Sequence, residues 1–96
     1  MTPGHVFHPG HDEYHGLTVV LYTSGPHTVI GRWDSRVGED VLMLNATRHD
    51  NTDSGESRDD WVAKVAKFGV PADHPQLKVP EASIEKVVHL SDVGQA

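Results

Sequence analysis

The sequence predicts a mainly β protein, a five-stranded small barrel with one added α-helix near residues 58–68. Three consecutive segments with strand periodicity and tight connections occupy residues 17–46, and a second strand pair is predicted within residues 77–90. A single stripe of helical periodicity lies between them. The chain has 96 residues, which is enough for one domain with a modest core.

The first three predicted strands differ in how their apolar residues are arranged. In residues 17–22, the period of two places Leu17, Val19 and Leu21 on one face and Thr18, Val20 and Tyr22 on the other. The second strand, residues 28–33, contains Gly31, which predicts a bend or a close backbone approach. The third, residues 40–45, is apolar on both faces, which favours a strand covered on both sides or one that contacts another subunit.

The predicted helix begins after Ser57 and carries one apolar stripe. Ser57 with Asp60 three residues later resembles a capping box. Trp61, Val65 and Phe68 fall at helical spacing, so we expect this stripe to pack on the barrel. The alternative is that Trp61 and Phe68 dock a partner.

The last strand pair begins at Val79 and ends near Leu90, with a tight connection at residues 80–83. These elements predict an arm, one domain and a tail. The predicted organisation is a His-rich N-terminal arm at 1–16, a barrel domain at 17–90 with a loop-helix insertion at 47–78, and a C-terminal tail at 91–96.

Composition restricts the function classes. Asp and Glu number 14 against 8 Lys and Arg, giving a net charge of −6, which disfavours nonspecific binding to phosphate backbones, and we find no DNA-specific signal. Without cysteine there are no disulfides or thiolate metal sites. No apolar run is long enough to cross a membrane, so we expect a cytoplasmic protein. The hydrophobic content of 36% favours stabilisation by oligomerisation.

Two blocks of the chain resemble the Sm-like (LSm and Hfq-type) family of small β-barrels. In the first block, Gly31 is followed by Trp33 two positions later and by Leu42 and Leu44 eleven and thirteen positions later, which is the family's spacing. The second block is a short strand, a tight turn and paired β-branched residues, formed here by Val79, Ile84, Val87 and Val88. The resemblance covers about half of the chain, with a long insertion between the blocks.

The resemblance implies a homo-oligomeric ring and RNA as a ligand, but the usual RNA-contact residues are absent. Val37 and Val41 occupy the positions where RNA-binding members carry Asp and Asn. Glu81 occupies the turn where members carry a cationic group. Arg36 is the cation nearest the family's ligand loop, so it is the one nucleic-acid-binding candidate.

Histidine is the second notable feature. Neutral imidazole is a common ligand for divalent transition metals, so a metal site in the arm is a second hypothesis. Four histidines lie within eleven residues of the arm, namely His5, His8, His11 and His15. The remaining four are expected to be surface or interface residues, namely His27, His49, His74 and His89.

No arrangement typical of a nucleophilic enzyme is present. The leading hypothesis is therefore a non-enzymatic, Sm-like, ring-forming module that binds RNA or another ligand. The alternative is a metal-binding or structural oligomer that works through its His-rich arm.

Overall fold

The computed structural model describes residues 14–52 and 55–93. Within them the chain forms five strands, one α-helix and two short 3-10 turns. The strands are β1 (Thr18–Thr23), β2 (His27–Val37), β3 (Asp40–Asp50), β4 (His74–Pro80) and β5 (Ile84–His89); the helix α1 spans Arg58–Phe68, and the 3-10 turns span Glu81–Ser83 and Leu90–Asp92.

All five strands form one antiparallel sheet in the order β4-β3-β2-β1-β5. The prediction of a mainly β fold with one helix is confirmed, and the helix has the predicted bounds. Although β4 and β5 are consecutive in sequence, they lie at opposite edges of the sheet.

The predicted close backbone approach at Gly31 is confirmed. The pairing of β2 with β3 shifts by one residue between Ile30 and Arg32, beside Asn45, whose φ of 50° is unusual outside glycine. A Cβ atom at Gly31 would lie 2.7 Å from the Ala46 Cβ and 2.8 Å from its Cα. Only glycine therefore lets the two strands come this close.

One face of the sheet carries the larger of two hydrophobic cores, which we call the Trp33 core. Val79 of β4 and Ile84 of β5 both belong to it, so the sheet curls until its two edges share one core. Its buried members come from all five strands: Val19, Leu21, Val29, Trp33, Val41, Met43, Ala46, Val79 and Ile84.

The opposite face carries the second core, which we call the Trp61 core because α1 covers it. Ser57 caps the helix, accepting a hydrogen bond from the Asp60 amide at 3.2 Å. The buried members are Val20, Ile30, Trp61, Val62 and Val65. The prediction that the helix stripe packs on the sheet is thus confirmed for Trp61 and Val65, whereas Phe68 is 76% exposed because it lies in the last turn, beyond the sheet surface that α1 covers.

The predicted loop-helix insertion at 47–78 is too long. Residues 47–50 extend β3 and residues 74–78 belong to β4, so the segment between the strands is 51–73. Because Thr47 and His49 are polar, the sequence pattern did not predict that the strand continues through them. Both side chains are nevertheless buried, because β3 turns them toward the face that the helix covers. Likewise β2 continues to Val37, and only Gly38 and Glu39 form the turn that follows it.

Candidate functional site

The turn between β2 and β3 and the connection between β4 and β5 meet at one corner of the sheet. The Arg36 Nε donates to the Glu81 Oε2 at 2.7 Å. The Glu81 amide donates to the Glu39 carbonyl at 3.0 Å. Two segments separated by more than forty residues are therefore held together by one side-chain bond and one backbone bond.

Local chemistry shapes both segments of this corner. Val37 pairs with Asp40, which leaves a two-residue turn, and Gly38 adopts the positive φ of 63° that such a turn requires. On the other side, the Ser83 hydroxyl donates to the Pro80 carbonyl at 2.7 Å and closes the 3-10 turn. The turn thus orients Glu81 toward the end of β2.

The ion pair between Arg36 and Glu81 is largely shielded from solvent. The side chains of Arg36 and Glu81 are 14% and 26% exposed, so their charge-assisted hydrogen bond contributes about 1 kcal/mol. Val41 is fully buried in the Trp33 core, whereas Val37 is exposed. Because its side chain is fully buried, Val41 cannot contact a ligand. The charge of Arg36 is balanced by Glu81.

The His-rich arm falls mostly outside the described residues, which include His15 but not His5, His8 or His11. His15 is exposed, and its Nδ1 is hydrogen-bonded to the Asp34 backbone carbonyl. A carbonyl oxygen only accepts, so Nδ1 carries the hydrogen and Nε2 of the neutral ring keeps its lone pair. Across residues 14–52 and 55–93, no group of three or more His, Cys, Asp or Glu side chains could hold a metal ion.

The other four histidines occupy different environments. His49 is only 5% exposed, and its ring stacks on Trp61 with 5.1 Å between centroids. The expectation of a surface or interface position is therefore wrong for His49, because α1 covers it. His89 contacts the Tyr14 ring edge-on, and the His74 Nε2 lies 3.9 Å from a carboxylate oxygen of Asp73.

A cleft of about 270 Å³ lies between β4 and the turn that joins β1 to β2. Its apolar lining includes Val29 and Val79, and its basic lining consists of His27, Arg48 and Lys78. Sequence reasoning missed this cleft because its residues come from four strands and no short motif joins them. Val29 and Arg48 are paired in the sheet, but predicting that pair requires knowing how far β3 extends.

Two titratable groups near the ends of the strands are shifted. Hydrogen bonds from the Thr52 hydroxyl at 2.6 Å and the Thr52 amide at 2.9 Å lower the pKa of Asp50. Burial raises the pKa of Tyr22, and the nearby guanidinium of Arg58 opposes that rise. The Tyr22 ring of β1 is faced by Arg58 of α1 at 5.0 Å and by Lys86 of β5 at 5.6 Å, so these cation–π contacts join β1 to the helix and to β5.

No protein-family model matches the chain, and no curated protein matches it significantly in sequence. Within the described residues, no helix has both the length and the apolar character to span a membrane.

Proposed function

We propose that this chain is a non-catalytic, Sm-like barrel that assembles head-to-tail with copies of itself into a closed ring. The strand order supports this proposal most directly, because the successive strands β4 and β5 are the two edge strands of the described sheet. Each edge strand presents a row of backbone N–H and C=O groups to a further strand. Pairing β4 of one copy with β5 of the next is a heterologous contact, which generates a ring when the rotation closes.

The edge strands restrict how such an interface forms. Pro75 and Pro80 lack amide hydrogens, so β4 can exchange a ladder of hydrogen bonds only over residues 76–79. Leu77, Val87 and Val88 are only partly buried in the single chain, and a neighbouring edge strand would cover them further. The proposed interface is therefore short and combines a few backbone bonds with apolar burial.

The oligomeric mass tests the ring. Light scattering at micromolar concentration is expected to show a discrete multiple of the chain mass, and a monomer overturns the proposal. Because the chain has no cysteine, Gln76→Cys combined with Lys86→Cys places one thiol on each edge. A short bifunctional cross-linker then gives a ladder of covalent multimers in the double variant, whereas each single-cysteine variant stops at the dimer.

RNA is the ligand that the resemblance implies, and we propose Arg36 as its cationic contact. Since the Arg36 Nε is bonded to Glu81, that carboxylate competes with a phosphate group for the positive charge of the guanidinium. Removing the carboxylate should therefore strengthen RNA binding. The hypothesis therefore predicts a gain of RNA affinity when Glu81 is neutralised, which removing the charge of Arg36 alone would not test.

Titration with polyuridine and polyadenine, with and without chelator, measures this effect. Glu81→Gln is expected to raise affinity several-fold, and Arg36→Gln to lower it and to reduce the salt slope by about 0.7. Glu85→Gln and Arg32→Gln are matched controls, since both residues are exposed and lie outside the corner. Equal effects of Glu81→Gln and Glu85→Gln would mean that only overall charge matters, and would remove Arg36 as the contact.

The arm supplies a second candidate function, binding of a divalent transition metal. The observation that favours it is the His15 ring, whose Nδ1 donates to the Asp34 carbonyl and leaves Nε2 as a ligand atom. Calorimetry with zinc and nickel is expected to show saturable binding that the His8→Ala, His11→Ala variant loses. Identical traces for the native chain and this variant would exclude the arm as the site.

A further inference from the structure

The cleft beside β4 combines an apolar floor with basic walls. Val29 and Val79 of the Trp33 core form part of its floor and are 3% and 5% exposed. His27, Arg48 and Lys78 reach it from β2, β3 and β4 respectively. No acidic residue lines it. In a chain with net charge −6, this is a local concentration of positive charge.

The three basic side chains have no ion-pair partner among residues 14–52 and 55–93. The acid opposite His27 in the sheet register is Asp50, and its Oδ1 accepts both hydrogen bonds from Thr52. Those bonds are the largest causes that lower the pKa of Asp50, and electrostatic attraction to His27 and His49 contributes less, so Asp50 compensates His27 only in part. Arg48 and Lys78 also line the cleft, and neither is bonded to a carboxylate among the described residues.

The hydroxyl groups that line the cleft are already used as donors. The Thr23 hydroxyl donates to the His27 carbonyl at 2.6 Å, and the Ser83 hydroxyl donates to the Pro80 carbonyl at 2.7 Å. Neither hydroxyl is free to select a neutral polar ligand by donating a hydrogen bond. Selectivity in this cleft therefore comes from the basic side chains, and it favours an anion.

We propose that this cleft binds a small organic anion, with an apolar body of about one ring against Val29 and Val79 and a single anionic headgroup between Arg48 and Lys78. The size follows from the volume, since about 270 Å³ lies just below the roughly 300–1,000 Å³ of drug-sized sites. The charge follows from the unpaired basic side chains. This inference goes beyond the ring, since all of the lining residues belong to one chain, and it shares with the ring the β4 segment that contains Lys78 and Val79.

Methyl NMR shifts of Val29, Leu77 and Val79 give the direct test, with benzoate, phenyl phosphate and benzyl alcohol as probes at matched ionic strength. We expect saturable shifts with a Kd of about 1 mM for at least one of the two anions, and none for the neutral alcohol. Comparing benzoate with phenyl phosphate distinguishes a carboxylate headgroup from a phosphate one. Equal shifts with all three probes, or none up to about 10 mM, would overturn the proposal.

Charge-removal variants assign the headgroup contact. Arg48→Gln and Lys78→Gln are each expected to weaken binding of the preferred anion by about three- to tenfold, and Lys67→Gln to leave it unchanged. Lys67 is a matched control because it is an exposed lysine of α1, on the opposite side of the sheet. All three positions are exposed, so the fold is retained and a loss of binding reports on the cleft. The same loss in all three variants would contradict the assignment.

Discussion

The two faces of the sheet are built differently around one tryptophan each. The Trp33 core draws buried residues from all five strands, and Trp33 itself is fully buried. The Trp61 core joins two strand residues to three residues of α1, and its outer members are only partly buried. One face is closed by the sheet curling on itself, whereas the other depends on a single eleven-residue helix.

The sheet and the helix layer are stabilised by different contacts. A helix of this length is marginal on its own, so α1 is held by its contacts with the sheet rather than by its own propensity. The sheet is held by pairing along every strand. We therefore expect the helix layer to open in equilibrium before the sheet does.

Replacing each tryptophan with alanine tests most directly whether the two cores unfold separately. Trp33→Ala is expected to cost about 4 kcal/mol and to destabilise the whole domain, because the void lies inside the sheet's own core. Trp61→Ala is expected to cost about 3 kcal/mol and to release α1 while the strands stay protected. Urea unfolding measures the costs and amide hydrogen exchange locates them. Loss of strand protection in Trp61→Ala would show that the two cores unfold together.

A smaller effect is expected where β2 and β3 approach each other. Gly31→Ala would place a Cβ atom 2.7 Å from the Ala46 Cβ and force the strands apart, at a cost of about 2 kcal/mol. Gly25→Ala is the matched control, because its nearest neighbour would lie 3.8 Å away and its φ is not positive. Its free energy of unfolding should change by less than about 0.5 kcal/mol. Equal losses of unfolding free energy in both variants would show that the close approach of β2 and β3 does not restrict the residue at position 31.

Removing the helix cap affects the Trp61 core alone. Ser57→Ala deletes the acceptor of the Asp60 amide hydrogen bond and is expected to cost about 1 kcal/mol. Amide exchange should accelerate in α1 and stay unchanged in β1 and β2. Accelerated exchange in the strands would mean that the sheet depends on the helix. Ser24→Ala, at an exposed turn position, controls for the loss of a serine hydroxyl.

The smallest expected effect lies outside both cores and depends on pH. The folded pKa of Asp50 is below its ordinary value of 3.8, so its stabilising contribution is present above that pH and is lost as pH falls through the folded pKa. Asp50→Asn should therefore lower the urea midpoint slightly at pH 7 and not in strong acid. Glu85→Gln is the control for removal of one carboxylate. A pH-independent difference would show that Thr52 does not stabilise the ionised form.

Sequence patterns predicted which strands and helices are present better than they predicted where each one ends. The cap at Ser57 and the stripe containing Trp61 predicted the bounds of α1, because capping and periodicity are local. The ends of β2 and β3 were missed, since Asp34, Thr47 and His49 are polar and strand membership there depends on a paired neighbour. Among the candidate site residues, Arg36 was chosen from the sequence, but its bond to Glu81 could not be predicted from the two positions alone.

Three features could be predicted from the sequence alone: the mainly β content, the capped helix and the glycine at a close approach of two strands. Each of them depends on residues that are near one another along the chain. The tertiary structure decided which polar residues are buried, which cation meets which carboxylate, and which basic side chains share one cleft. The physical reason is that pairing of distant strands fixes these contacts. His49 under Trp61, Arg36 beside Glu81, and Arg48 with Lys78 become neighbours only when the sheet has formed and curled.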